Sequence, residues 1–347
     1  MGQFRVTFYL PLCCVIGAVL AGGTDHEGEH GDDAHKHWGY HGDVGPKHWP
    51  DLEKGAACGS EYKYQSPINV ESDNTIYSPH LRKFFTWYDP PKPTDRMSLI
   101  NNGHTVQLNI DGDYFVTGGG LIGVYEALQL HFHWGSVDAQ GSEHTLNGKA
   151  FPLEMHIVTY NTKKYQNAGE ALASNDHSAL AVLGVWFEMS DTDNEYVQAV
   201  LDHLADVENP SADASSEVAA FALKHVLPKD IESFYRYYGS LTTPTCNEVV
   251  EWTLFKETVP ISEGQLVQLR SVFSNEMNED GNPIAMGDNY RPTQPLNGRN
   301  VLRSFLTEKE AKEHGRKPVL YNVDGAASNT ALSISLLLSV LLMKFLF

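Results

Sequence analysis

Basic residues are scarce in this 347-residue chain, which has 25 lysines and arginines against 44 aspartates and glutamates and a formal net charge of −19 at neutral pH. An acidic surface of this kind repels phosphate groups and therefore argues against nucleic acid and anionic lipid as partners. N-glycosylation is not expected either. The only asparagine at the required spacing before a serine or threonine is Asn209, and Pro210 follows it.

Cysteine is also rare, with four residues in the whole chain. Two of them lie within residues 1–21, a stretch with one positive charge, an apolar core and small residues at its end. This pattern is typical of a cleaved secretory signal peptide, and an uncleaved membrane anchor is the alternative. Removal of the signal leaves Cys58 and Cys246 in a chain bound for an oxidising compartment. We expect these two to form a disulfide; two unrelated buried thiols are the alternative.

Long apolar runs are absent from the interior of the chain and occur only at its two ends. Residues 331–347 form an apolar tail that is broken only by Lys344 and follows small residues and a short polar stretch. We interpret residues 326–347 as a glycosylphosphatidylinositol (GPI) attachment signal, with the attachment residue within 324–328 and a polar stalk at 311–325. A short transmembrane helix is the alternative, because 17 residues is the lower limit for spanning a bilayer.

The remaining chain predicts a leader and one domain. Residues 22–37 are rich in histidine, acidic residues and glycine, which predicts a flexible leader. Residues 38–310 contain no repeat or linker and are interpreted as a single domain. Short apolar alternations separated by turn signals predict a mainly β fold with a few short helices, and residues 169–175 and 191–207 are the helical candidates.

One apolar, strand-like run, LQLHFHWG at 128–135, contains two histidines. On a strand, alternate side chains share a face, so His131 and His133 point the same way. A second run, LEMHIVTY at 153–160, contributes His156 as the natural third ligand. Three neutral imidazoles around zinc leave a fourth position open, which indicates catalysis, whereas a structural zinc site usually has four protein ligands including thiolates. Hydrogen-bonded core histidines are the alternative interpretation.

Six sequence motifs, in order along the chain, now identify a resemblance. The segments NNGH, QLHFHWG, GSEHTLNGK, LEMHIV, YGSLTTP and YRPTQPLNGR resemble the alpha-class carbonic anhydrases from about Trp38 to Arg303. The resemblance implies a large, central, mostly antiparallel twisted sheet in one domain. The cysteine pair and the two end signals resemble those of the secreted and membrane-anchored (GPI-type) subgroup. One departure is Thr245, which stands after LTTP where the family often has proline.

The resemblance also implies roles for individual residues. His131, His133 and His156 are the Zn²⁺ ligands, His104 is the proton shuttle, and the hydroxyl of Thr242 donates a hydrogen bond to Glu143 while it orients the nucleophile. Gln129 and Glu154 accept hydrogen bonds from ligand imidazoles. The residues that line the substrate pocket are Thr242, Thr243, Leu241, Val158, Val182, Val250 and Trp252, and those that steady the water chain are Tyr40, Asn102 and Gln107.

The predicted function is the zinc-dependent, reversible hydration of carbon dioxide to bicarbonate and a proton, by attack of a zinc-activated water. The expected location is the extracellular face of the plasma membrane, reached by the secretory pathway and held by a lipid anchor, with a single-pass or secreted protein as alternatives. Bicarbonate or proton transporters are conceivable neighbours. The alternative functions are a catalytically silent binding ectodomain of the same fold and a zinc hydrolase of esters or peptides, which needs an open substrate groove.

Overall fold

The computed structural model describes residues 38–52, 56–87 and 91–313. The predicted signal peptide, leader and attachment signal, and the stalk after residue 313, lie outside the described residues. The chain divides into two compact units, Met1–Phe305 and Leu306–Phe347. None of the described helices is long and apolar enough to cross a membrane.

The described part of the first unit consists mainly of β-strands. In chain order these are β1 Asn69–Val70, β2 Ile76–Tyr77, β3 Phe84–Trp87, β4 Arg96–Asn101, β5 Val106–Asp111, β6 Phe115–Gly118, β7 Leu121–Trp134, β8 Thr145–Leu146, β9 Leu153–Asn161, β10 Leu180–Ser190, β11 Ser216–Val218, β12 Phe234–Gly239, β13 Val250–Phe255, β14 Val259–Ser262, β15 Phe273–Met277, β16 Pro283–Ala285 and β17 Leu302–Arg303.

Thirteen of these strands form one sheet, in the order β11-β4-β5-β7-β9-β10-β13-β12-β17-β2, with β14 paired to β10 and β6 joining β3 to β7. Most neighbouring strands are antiparallel; the parallel pairs are β10 with β13, β10 with β14, and β17 with β2. The prediction of a mainly β domain around a large, mostly antiparallel sheet is confirmed.

The helices within the described residues are few and short. They are α1 Trp49–Leu52, α2 Ala168–Leu172, α3 Glu195–Leu201, α4 Glu263–Leu269 and, in the second unit, α5 Glu308–Glu313, with 3₁₀ turns at Gly42–Val44, Ser72–Asn74, Leu204–Val207 and Leu223–Val226. The candidate at 191–207 is therefore an α-helix followed by a 3₁₀ turn. It begins only at Glu195 because the side chain of Asn194 caps the backbone N–H groups of Tyr196 and Val197.

The strands β7 and β9 carry core residues on one face and the candidate site residues on the other, because their side chains alternate between the two faces of the sheet. On one face, Leu130, Phe132 and Trp134 are almost fully buried in the larger apolar cluster. The opposite face carries the histidines, and the antiparallel register places His131 directly opposite His156. A smaller apolar cluster, which includes Val158, covers part of this second face.

Candidate metal centre

The two central strands bring three histidines together. The ring centroids of His131, His133 and His156 lie 4.7 to 5.2 Å apart, and one ring nitrogen of each lies within 4.8 Å of the others. His133 and His156 are each about 1% exposed. A group of three nitrogen donors at this spacing has the size of a metal site.

Hydrogen bonds on the outer nitrogens determine the tautomers of His131 and His133. His131 Nδ1 lies 2.9 Å from Gln129 Oε1, and His133 Nδ1 lies 2.7 Å from the backbone oxygen of Asn289. Both oxygens only accept hydrogen bonds, so Nδ1 carries the proton in each ring. The lone pair of each ring is therefore on Nε2, which is the nitrogen facing the centre of the group.

His156 is held with the other ring nitrogen facing inward, by a chain of buried polar residues. Its Nε2 donates to Glu154 Oε1 at 2.7 Å, which leaves Nδ1 as the inward nitrogen. The same carboxylate accepts hydrogen bonds from His144 Nδ1 at 2.7 Å and from the His144 backbone N–H at 2.8 Å. Burial acts to raise the pKa of Glu154, but the two imidazoles outweigh it and hold the pKa well below its ordinary value.

The electrostatics of the group fit a bound cation. Burial, followed by the neighbouring imidazoles of His133 and His156, lowers the pKa of His131 well below its ordinary value, so the ring stays neutral. The inward nitrogen of His133 is buried and has no hydrogen-bond partner in the part of the chain that the structure describes. An unsatisfied buried lone pair is costly, and a Lewis acid would satisfy it. Three neutral imidazoles are a suitable donor set for zinc with an open fourth position.

Glu143 lies directly beside the three rings. Its side chain is fully buried, with Oε2 3.4 Å from His133 Nε2, while Oε1 accepts a hydrogen bond from the Arg291 backbone N–H at 2.8 Å. The Oε2 atom has no hydrogen-bond partner in the described structure, so the bond expected from Thr242 is not formed there. Thr242 itself lines the cavity above the histidines and is 5% exposed.

The histidines lie in a cavity that opens to solvent. One side is apolar and the other is polar. The apolar lining is Leu128, Val158, Leu172, Leu180, Val182, Leu241 and Trp252, and the polar lining includes Tyr40, Asn102, His104, Thr105, Gln107, Thr242 and Thr243. Val250 differs from the expectation: it is fully buried in the apolar cluster and does not line the cavity.

His104 occupies the polar side of the cavity and is held by several contacts. The Asn102 side-chain oxygen accepts from the backbone N–H of His104 at 2.9 Å, and the Asn102 amide donates to Gln107 at 3.2 Å. The ring of His104 stacks on Trp38, with centroids 3.6 Å apart and planes 5° apart. Asn275 Nδ2 lies 3.4 Å from His104 Nε2. The shuttle candidate is thus ordered at one position beside the cavity.

The predicted disulfide is present between Cys58 and Cys246. It joins an N-terminal segment to the loop that follows Thr242 and Thr243. The backbone N–H of Cys246 donates to the Thr243 oxygen at 2.8 Å, so the bridge lies directly against the loop that lines the cavity.

Several residues of the site were missed by sequence reasoning: His144, Tyr237, Asn289, Arg291, Trp38 and Asn275. His144 stands beside Glu143 in the GSEHT motif, and a buried histidine there was a usable signal. Asn289 gives no such signal, because it acts on His133 through its backbone oxygen from 156 residues away.

With this geometry in place, the relatives of the chain can be compared. A family model described as eukaryotic-type carbonic anhydrase matches residues 44–305, about three quarters of the chain. The chain belongs to this family. It is 41% identical to carbonic anhydrase 7 of Mus musculus over 244 residues, which cover 70% of this chain and 88% of that protein.

Two further relatives are similarly close to this carbonic anhydrase. Carbonic anhydrase 12 of Homo sapiens is 38% identical over 255 residues, covering 73% of this chain and 69% of that protein. Carbonic anhydrase 4 of Rattus norvegicus is 36% identical over 247 residues, covering 70% and 76%. The alpha-class enzymes are zinc enzymes, which agrees with the donor set found on β7 and β9.

Replacement of Gln129 by alanine should weaken zinc binding by about 10- to 100-fold, because the acceptor that orients His131 is lost. Competition with a zinc chelator measures this. The matched control is Gln166→Ala, since Gln166 is an exposed glutamine that does not line the cavity. Equal zinc affinity in the Gln129→Ala and Gln166→Ala proteins would contradict the proposed orientation.

Proposed function

We propose that this carbonic anhydrase binds Zn²⁺ through His131 Nε2, His133 Nε2 and His156 Nδ1 and interconverts carbon dioxide and bicarbonate. The supporting observation is the convergence of three imidazole nitrogens at an open cavity, one of which, His133 Nε2, is buried with no hydrogen-bond partner among the described residues. When bound, the metal acidifies a coordinated water so that a nucleophile is available at neutral pH, as is established for carbonic anhydrases.

The apolar wall of the cavity has the properties needed to hold the substrate. Carbon dioxide carries no net charge or hydrogen-bond donor, so it leaves bulk water for the surface formed by Val158, Val182, Leu241 and Trp252. These side chains also limit water on that side of the centre. Substrate therefore approaches the centre along the apolar wall, and protons leave along the polar side.

Thr242 and Glu143 orient the nucleophile in this proposal. The Oε2 atom of Glu143 has an unused acceptor site in a fully buried position. In this proposal the hydroxyl of Thr242, which lines the cavity of the three histidines, donates a hydrogen bond to this oxygen. The oxygen of Thr242 then accepts a hydrogen bond from the nucleophile. This bond directs a lone pair of the nucleophile toward the apolar wall. Thr243 lines the same side of the cavity.

His104 is the proton shuttle in this proposal. Its ring lies at the polar side of the cavity and is about 9% exposed, and Asn102, Gln107 and Tyr40 line the path to it. An imidazole that titrates near neutral pH accepts and releases a proton at little free-energy cost. The proton of each hydration cycle therefore leaves the cavity through this residue.

We also propose that the protein acts at the outer face of the plasma membrane, held by a lipid anchor. The Cys58–Cys246 disulfide supports a secretory route because such bridges persist in oxidising compartments. The anchor rests on the small-residue, spacer and apolar-tail pattern at the C-terminal end. Transporters of bicarbonate or protons in the same membrane would be functional neighbours.

The central test is metal analysis and carbon dioxide hydration by the purified protein. We expect one zinc per chain, loss of hydration after removal of the metal and recovery when zinc is restored. The matched variant is His133→Ala, which removes the buried, unpartnered nitrogen and should abolish both zinc binding and activity. A folded protein that binds zinc without hydrating carbon dioxide would instead support the silent binding ectodomain.

A second prediction concerns His104. The His104→Ala variant should turn over more slowly than the wild type in dilute buffer, because the proton then lacks its acceptor in the cavity. Concentrated imidazole buffer should restore the rate, since small bases reach the cavity and replace the missing ring. Failure of imidazole to restore turnover would remove the shuttle assignment and leave the zinc centre unaffected.

The anchor is tested on cells. Phosphatidylinositol-specific phospholipase should release the protein from the surface of cells that express it, because the enzyme cleaves the lipid from the attached chain. A protein with a substituted transmembrane helix in place of residues 326–347 serves as the control that should stay bound. Retention of the unaltered protein after the treatment would favour the transmembrane alternative.

A further inference from the structure

A histidine and a carboxylate that the proposed mechanism does not use face each other beside the cavity. His41 Nδ1 lies 3.1 Å from Glu276 Oε2, and the Tyr40 backbone N–H donates to Glu276 Oε1 at 2.8 Å. The side chain of His41 is 47% exposed and that of Glu276 is 10% exposed. The imidazole therefore reaches solvent, while the carboxylate that holds it is largely covered.

One short path connects this pair to the shuttle along β15. Asn275 precedes Glu276, and its Nδ2 lies 3.4 Å from His104 Nε2. Its backbone N–H also donates to the Gly103 oxygen at 3.1 Å, which fixes β15 against the turn that presents His104. The residue beside Glu276 is thus in contact with the shuttle ring.

A second path runs along the N-terminal segment. Tyr40 precedes His41 and lines the cavity. Its ring meets the edge of Trp38 with centroids 5.7 Å apart, and Trp38 stacks on His104 at 3.6 Å. The pair is therefore connected to His104 through Tyr40 and Trp38, while His41 itself reaches solvent.

The charges around His41 favour proton uptake. The hydrogen bond that His41 donates to Glu276 is the largest influence, and it raises the pKa of His41 above its ordinary value; burial opposes it, and the charges of Glu276 and Asp288 add to it. Burial acts to raise the pKa of Glu276, but the hydrogen bonds from His41 and the Tyr40 backbone lower it overall. Glu276 is thus ionised and ready to stabilise an imidazolium.

We propose that His41, held by Glu276, is a second proton acceptor that takes the proton from His104 and passes it to buffer. This inference rests on the proposed function of His104. The His41 ring donates Nδ1–H to Glu276, so its Nε2 is the accepting atom. The imidazolium of His104 loses one proton, His41 Nε2 gains it, and a buffer base then removes it. Glu276 remains ionised throughout.

The test compares zinc-loaded wild-type protein with the His41→Gln variant in stopped-flow carbon dioxide hydration. We expect a several-fold lower kcat in dilute buffer with kcat/KM unchanged, because the proton leaves after the substrate has reacted. Concentrated imidazole buffer should restore kcat. The matched control is His80→Gln, because His80 is an exposed histidine that does not line the cavity and its replacement should leave kcat unchanged.

A second variant separates proton transfer from a purely structural role. Glu276→Gln keeps an acceptor for the Tyr40 backbone N–H but removes the negative charge. We expect the pKa of His41, measured by NMR titration of the ring, to fall toward its ordinary value and kcat in dilute buffer to fall with it. If the contact between His41 and Glu276 only held the N-terminal segment in place, the variant would instead lower kcat and kcat/KM together, without dependence on buffer concentration. That result would overturn the inference.

The outcomes also distinguish the two levels of the proposal. An unchanged kcat for His41→Gln in dilute buffer, together with a reduced kcat for His104→Ala, would overturn the role of His41 and leave the proposed function intact. A zinc-loaded wild-type protein that does not hydrate carbon dioxide would overturn both.

Discussion

The hydrogen bonds on the outer nitrogens of three buried imidazoles are the interaction on which the rest of the site depends. Gln129, Asn289 and Glu154 take one nitrogen of each ring and thereby leave one lone pair of each ring facing a common centre. Without these partners, each ring could rotate or change tautomer, and the lone pairs would no longer converge. The candidate metal site is therefore positioned mainly by the hydrogen-bond acceptors behind the rings.

The sheet makes this arrangement possible because alternation of side chains gives each strand two roles. In β7 four consecutive residues supply two candidate ligands and two large core side chains, with His131 and His133 on one face and Phe132 and Trp134 on the other. The core face fixes the strand in register with β9, and the register in turn places His156 opposite His131. Burial of apolar surface on one side of the sheet thus sets ligand positions on the other.

Much of the fold and of the candidate site could be predicted from the sequence, and the features that could not be predicted have physical reasons. The H-x-H pattern in an apolar run predicts both the strand and the shared face, because period-two alternation is a local property. Asn289 and Asn275 could not be found this way, because their partners come from segments more than 150 residues distant. The helix α4 was overlooked although Ser262 and Gln265 form a capping box that is legible in the sequence.

Two further differences arise from packing. Val250 pairs with Leu180, which does line the cavity, but the side chain of Val250 itself is fully buried in the apolar cluster. The interval 191–207 has helical periodicity throughout, but Asn194 caps the chain late, and His203, with φ of −100° and ψ of 0°, stands between α3 and a 3₁₀ turn. Periodicity identifies the buried side of a segment, whereas caps and neighbours decide where it begins and what it touches.

Burial also explains how one residue type performs two tasks in the same cavity. At the floor, burial lowers the pKa of His131 and keeps its ring neutral, so its lone pair remains available. Beside the solvent-facing side, His41 is nearly half exposed and faces an ionised carboxylate, which raises its pKa. The two environments therefore suit different tasks: a neutral ring at the floor can bind a metal, and a partly exposed ring beside a carboxylate can accept a proton.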